Sequence, residues 1–346
     1  MSTTEPTIRV LSLGAGVQST TLALLACDGM LPGLDAAIFA DTGWEPPRVY
    51  AHLDRLAVEL DRAGIPLYRV SRGNLRADVL NPDKHTNLPA FIRNPDGTQG
   101  KVRRHCTDRY KLRPIREQVR LLLGARLGEE RPCKHCEGAG TRVAPWRAKR
   151  GEHVSGECSV CGGDGRISRV GPVPAGRWAE QWIGFSTDEV ERVSDKEPDY
   201  TRARYPLLEL GMSREHCITW LTRHGWGDTE RSACNGCPFH GNKHWRWMRE
   251  HRPDDWADAV DMDRRIRNGP GLIGQQFLHR SLLPLDQAPI DQVERKEWRQ
   301  RQTDLFDLAL PAGLDDEDDD PDGCSPYGCR SGDPATADPD RQETAA

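Results

Sequence analysis

The sequence predicts an α/β fold, a doubly wound and mostly parallel sheet, from three observations. Apolar runs of strand length alternate with segments of helical period over roughly the first hundred residues. A glycine-containing turn, Gly14-Ala15-Gly16, joins the first apolar run to the first helical segment. A core-like run resumes near Glu180 after a long interruption rich in Cys and Gly. Strands that alternate with helices through short connections bury both faces of a parallel sheet under helices.

Ile8 to Leu13 reads as a buried strand and Thr20 to Cys27 as the helix after it. Ala36 to Ala40 is the second strand. Val49, Leu53, Leu56, Leu60 and Ala63 keep helical spacing, Gly64 supplies a C-terminal cap, and Pro66 to Val70 is the third strand. Residues 71 to 104 read as loop-rich. A helix from about Asp108 to Leu123 carries Lys111 and Arg113 near its start; Pro114 is tolerated only in a first turn and draws that start toward itself. Trp182 to Glu189 reads as a later core strand and its turn, and Ser213 caps a helix to His224. In His244 to Arg249, Trp245 and Met248 at helical spacing read as core in preference to a stacking platform for bases. Asp254 to Arg267 and Gln292 to Leu308 read as further helices, the latter mostly polar.

Composition divides the chain. Of 346 residues 36% are apolar and mean hydropathy is −0.70, low for a compact enzyme. Much of this comes from Asp315 to Ala346, with eleven acidic residues and two arginines, which cannot offset its ordering entropy and reads as a disordered acidic tail. Removing its net −9 from the whole-chain −5 leaves residues 1 to 314 mildly basic at +4, suited to an anionic nucleotide. The expected units are a first part of the core (1–130), an insert (131–169), the remainder of the core (170–310) and the tail (311–346). The N-terminus has no signal-like pattern, and no apolar run approaches the ~18 residues of a membrane span, so a cytoplasmic protein with no membrane partner is expected. Eleven cysteines, most in C-x-x-C pairs, then favour metal or redox chemistry over disulfides.

The chemistry starts at Leu11-Ser-Leu-Gly-Ala-Gly-Val-Gln-Ser-Thr20. A turn at a strand-to-helix junction exposes helix N-terminal amides, whose unpaired donors and partial positive charge suit a phosphate. It lacks the G-K-[ST] of a Walker loop and the spacing of G-x-G-x-x-G. It resembles the Ser-x-Gly-x-Asp-Ser pyrophosphate loop of the N-type ATP pyrophosphatases (adenine nucleotide alpha hydrolase-like), with Ser12, Gly14, Ser19 and Thr20 matching. This loop is longer, and Gln18 stands at the usual Asp; an amide does not replace a carboxylate at Mg2+, which leaves Mg2+ open. Four further segments, Asp41-Thr-Gly-Trp-Glu45, Arg103 to Pro114, Trp182 to Glu189 and Cys234-Asn-Gly-Cys-Pro-Phe-His240, are similar, in order, to those of the phosphoadenosine phosphosulfate (PAPS) reductase branch. The resemblance spans roughly residues 8 to 285. It implies an adenine nucleotide with its phosphates on Ser12, Gly14, Gly16, Gln18, Ser19 and Thr20, its nucleoside near Asp41, Thr42 and Gly43, and Arg104, Lys111 and Arg113 stabilising charge on phosphate oxygens.

Two cysteine sets remain. Cys133-x-x-Cys136-x-Gly-x-Gly140 is echoed by Cys158-x-x-Cys161-x-Gly-x-Gly165, and two such knuckles supply the four thiolates of a closed zinc site. The repeat resembles half of the cysteine-rich region of DnaJ chaperones. Within the insert, Lys134, Arg142, Trp146, Arg147, Lys149 and Arg150 offer contacts to substrate or to nucleic acid, DNA or RNA, as the alternative to a purely structural role. Cys106, Cys217, Cys234 and Cys237 form the second set. In some relatives of the family, distant cysteines with a late C-x-x-C hold a four-iron four-sulfur cluster; a second zinc, a redox pair or inert thiols are the alternatives. The family's Glu-Cys-Gly-x-His tail is missing, although Cys324 and Cys329 lie in the acidic tail.

The expected function is a PAPS reductase-like enzyme acting on ATP, adenylylsulfate or PAPS. Its chemistry would be sulfur transfer, sulfonucleotide reduction or nucleic-acid thiolation, with a sulfur donor or thioredoxin-like reductant as partner. The alternative is a nucleic-acid-associated protein with a zinc module and a degenerate nucleotide-sensing domain.

Overall fold

The computed structural model describes residues 5–81, 88–102, 106–143, 155–158, 160–161, 163–193, 197–269 and 274–293. Arg104, the linker residues Trp146, Arg147, Lys149 and Arg150, the helix expected after Gln292 and the acidic tail lie outside them, apart from the first two residues of that helix segment.

In chain order the elements are β1 (Ile8–Leu13), α1 (Val17–Cys27), β2 (Ala36–Asp41), α2 (Pro47–Arg62), β3 (Leu67–Ser71), α3 (Leu75–Leu80), β4 (Phe91–Arg93) and β5 (Gln99–Lys101). A π-helical turn, Thr107–Leu112, then runs into α4 (Arg113–Leu122). The short strands β6 (Arg131–Pro132), β7 (Thr141–Val143), β8 (Ser155–Glu157) and β9 (Arg166–Ile167) follow. The core resumes with β10 (Ala179–Trp182), a 3-10 turn (Thr187–Arg192) and β11 (Thr201–Arg204). After these come α5 (Pro206–Glu209), α6 (Arg214–Arg223), α7 (Asn242–His251), α8 (Pro253–Ile266) and β12 (Gln275–Phe277).

Five strands form one parallel sheet in the order β11-β10-β1-β2-β3. The chain steps outward from β1 through β2 to β3, then returns to lay β10 on the other side of β1. That reversal opens a crevice beyond the carboxyl ends of β1 and β10, where open α/β sheets bind ligands. Strand alternation divides the apolar side chains between two layers. Leu11, Leu13, Ala37 and Phe39 pack with α1, α2 and α6, whereas Val10, Ile38 and Ala40 pack with Ile115, Val119 and Leu123 around α4. The sheet is covered on both faces, as a doubly wound fold requires.

Several elements differ from expectation for local reasons. Helix α1 begins at Val17, not Thr20, because Gly16 takes the extended N-cap conformation and Ser19 closes the first turn. The expected helix from Asp108 is split: Pro114 has no N–H, and the residues before it widen into a π turn while α4 holds Pro114 in its first turn. Within residues 71 to 104 lie α3, capped by the Asn74 side chain on the Ala77 amide, and the β4–β5 hairpin, extended by β12. Strand β11 is an edge strand with arginines at alternate positions. Ser213 caps α6 as expected, accepting from the His216 amide at 3.1 Å.

A second core lies apart from the sheet layers. Trp44, Leu75, Tyr110, Trp245, Met248, Met262, Leu278 and Leu285 join α3, α7, α8 and the segment after β12. Trp245 and Met248 are therefore core residues. Gly236 lets this lobe close on the sheet, since a Cβ there would come within 2.3 Å of the Trp44 ring. Trp44 is held in turn by its Nε1–H, which donates to Asp258 at 2.6 Å. The insert is separate: β6 pairs with β9 and β7 with β8, over an antiparallel neck where Gly128 N donates to Arg169 O and Gly171 N to Arg126 O. Among the described residues no helix is long and apolar enough to cross a membrane.

The second core also contains a buried histidine. His279 sits between Asn242 Oδ1 and Ser281 Oγ, and burial, with Arg280 adding to it, lowers its pKa from 6.5 to about 4. Its neutral form thus adds stability that is complete above about pH 6.5 and is lost as pH falls toward 4. Thermal unfolding followed across this range should show a loss of stability in the wild type that is smaller in His279→Gln.

Candidate functional site

A solvent-open cleft occupies the crevice at the strand reversal. Its floor is the end of β1 and the start of α1, with Ser12, Gly14, Gly16, Gln18 and Ser19. Phe39 and Ala40 at the end of β2 form one wall, and Ile183, Gly184 and Phe185 after β10 form another. Lys111, Arg192, Arg214 and Arg231 bring positive charge to it.

Ser19 organises the loop. Its Oγ accepts from the amides of Gly14 at 3.2 Å and Gly16 at 3.3 Å and donates to Gly16 O. Ala15 between them takes φ of 57°, a left-handed conformation uncommon for a residue with a side chain. The turn is thereby wound tightly enough to aim the α1 N-terminus into the cleft. Gly184 allows the wall after β10 to approach it, since a Cβ there would lie 3.1 Å from the Ser19 nitrogen. Ser12 is tied across the sheet by Gln181 Nε2, which donates to its Oγ at 2.6 Å.

The buried amide of Gln18 bridges two charged side chains. Its Nε2 donates to Glu189 Oε2 at 3.1 Å, and its Oε1 accepts from Arg214 Nη1 at 3.0 Å. Arg192 pairs with the same Glu189. On the opposite side Lys111 Nζ lies 3.1 Å from Glu45 Oε1, a carboxylate with no exposed side-chain surface. Glu45 also accepts from Thr42 at 3.3 Å and Ser232 at 3.5 Å and lies 3.8 Å from the Cys234 sulfur.

The structure gathers Ser12, Gly14, Gly16, Gln18, Ser19 and Lys111 around one cleft. Other expected site residues serve elsewhere. Thr20 is buried and meets His52 Nε2 at 2.9 Å, under α2. Asp41 Oδ1 accepts from Gly43 N and the Tyr50 hydroxyl, each at 2.7 Å, while buried Thr42 faces Glu45 and Cys234. Gly43, at φ of 68°, packs against Asn74. These three residues build the turn after β2 and do not line the cleft. Arg113 is exposed and paired with Asp108 at 2.8 Å. Sequence reasoning left Arg192, Arg214, Arg231, Glu45 and Glu189 without roles. The Glu of Asp41-Thr-Gly-Trp-Glu45 carried the one readable signal, an acid placed directly after a buried Trp.

The cysteines form one compact group. Cys133, Cys136, Cys158 and Cys161 are buried with their sulfurs within 4.8 Å of one another, the one such metal-ligating group among the described residues. The Cys133–Cys158 and Cys136–Cys161 sulfurs lie 3.9 and 3.6 Å apart. A zinc tetrahedron with Zn–S of ~2.3 Å has edges of ~3.8 Å, so the donor set fits zinc. The amides of Gly140 and Gly165 each donate to a sulfur at 3.3 Å. Both glycines have positive φ, and a Cβ on either would collide with the other knuckle's backbone at 2.1–2.2 Å. The chemistry supplied by such a closed site is structural.

The second set is not assembled. Cys234 and Cys237 share a tight turn, with Cys237 N donating to Cys234 O at 3.1 Å, and Cys106 borders the same second core. Cys217 belongs instead to the first core against α1, where burial pushes its thiol up to about 11, away from the thiolate a cluster needs. Four ligands drawn from Cys106, Cys217, Cys234 and Cys237 are therefore not brought to one place.

No protein-family model, curated protein or solved structure matches the chain.

Metal binding by the four-cysteine cluster is tested directly by elemental analysis. The purified chain should carry about one zinc, and Cys136→Ser or Cys161→Ser should lose it while the sheet's circular dichroism persists. Full zinc in both variants would contradict the assignment.

Proposed function

We propose that the chain is a PAPS reductase-like enzyme that binds an adenine nucleotide with its phosphates over the Gly14–Ser19 loop. One observation carries this reading: the N-terminus of α1 opens at the strand reversal into a cleft lined by Lys111, Arg192, Arg214 and Arg231. Amides at a helix N-terminus and guanidinium groups gathered beside it are complementary to a chain of phosphates. The apolar surfaces of Phe39, Ile183 and Phe185 suit the flat, less polar part of the same ligand.

Within this reading Lys111 and the arginines stabilise charge that develops on phosphate or sulfate oxygens as a bond to them breaks. Lys111 is held in place for this by Glu45. The reaction class is sulfur transfer, sulfonucleotide reduction or nucleic-acid thiolation, with the zinc module as a separate structural unit.

Calorimetry with ATP, adenylylsulfate and PAPS tests the reading. At least one should bind, and Gly14→Val should abolish that binding without unfolding the chain. A Cβ at Gly14 meets nothing closer than the Ser19 hydroxyl at 3.7 Å, so the added methyls project into the cleft. Absence of binding by all three to the wild type would contradict the proposal.

A further inference from the structure

We propose that the cleft neutralises its phosphates with guanidinium groups and not with a divalent cation; this deepens the nucleotide reading and rests on it. Resemblance to the N-type ATP pyrophosphatases implies Mg2+ beside the loop, held by a carboxylate at the position of Gln18. The donor set does not fit that ion. Mg2+ takes near-octahedral oxygen ligands and is ordinarily anchored by one or two carboxylates. Gln18 offers a neutral amide, and that amide is engaged at both ends: its oxygen faces the Arg214 guanidinium at 3.0 Å and its nitrogen donates to Glu189 at 3.1 Å.

Among the described residues lining the cleft, Glu189 is the one carboxylate, and Arg192 is already paired with it. A dication bound there would sit against Arg214 and Arg192. The charge inventory points the same way. Four cationic side chains line the cleft against that single carboxylate, and counting Glu45 behind Lys111 still leaves cations in excess by two. Arginine offers a planar fork of donors that grips phosphate oxygens in pairs, which a hydrated Mg2+ would screen.

The consequence is a sign. Mg2+ bound to a nucleotide in solution removes negative charge that the arginines would otherwise meet, so it competes with the protein. Titrations of full-length protein with ATP, adenylylsulfate and PAPS, each in millimolar EDTA and again in excess MgCl2, read this out. Affinity in EDTA should equal or exceed that in MgCl2 for whichever nucleotide binds. Gln18→Asp sets a second carboxylate beside Glu189 and should weaken binding in EDTA by about tenfold or more, with partial recovery on adding MgCl2. Wild-type binding more than about tenfold weaker in EDTA would overturn the proposal and leave the nucleotide reading standing. Binding in neither buffer would remove both.

Discussion

The buried carboxylate of Glu45 is the constraint around which the cleft is built. A carboxylate withdrawn from water costs several kcal/mol unless charge and hydrogen bonds replace its hydration. Here the replacements come from four side chains in three separate segments: Lys111 in the π turn, Thr42 in the turn after β2, and Ser232 and Cys234 in the loop before α7. Satisfying one charge therefore fixes the mutual position of the sheet, the start of α4 and the second core. The same requirement places the Lys111 ammonium at the wall of the cleft.

Opposite this charge stands a second buried network, Arg192–Glu189–Gln18–Arg214, at the N-terminus of α1. The two networks flank the Ser19-organised loop, one on the β2 side and one on the β10 side. The reversal of strand order creates the crevice, Gly184 lets the far wall close on it, and the paired charges hold cationic side chains around it. Each contribution comes from a different level of structure, and the cationic cleft exists only when all are present.

The parts legible in the sequence were those whose cause is local. A glycine turn between an apolar run and a helix announced the loop, strand-length runs at Ala36 and Leu67 announced the sheet, and paired C-x-x-C-x-G-x-G knuckles announced the four-cysteine cluster. Ser213 as a cap and Trp245 with Met248 as core followed from spacing alone. Strand β11 escaped because alternate arginines on an edge strand look like a solvated loop, and the β4–β5 hairpin because its strands are three residues long. Arg192, Arg214 and Arg231 carry no local signal; tertiary folding brings them to the cleft from separate segments. Cys217 was grouped with the wrong partners, although its i,i+4 relation to buried Leu221 marks the inner face of α6. Thr20 likewise belongs to the face of α1 that meets α2, which a motif match does not reveal.

The central claim, that an anion is held between the α1 N-terminus and the wall after β10, is tested most directly by amide hydrogen exchange with and without a saturating nucleotide. The account predicts slowed exchange in Gly14 to Ser19 and in the segment around Gly184, with the four-cysteine insert unchanged. Protection confined to other segments, with these amides exchanging at the same rate in both states, would contradict it.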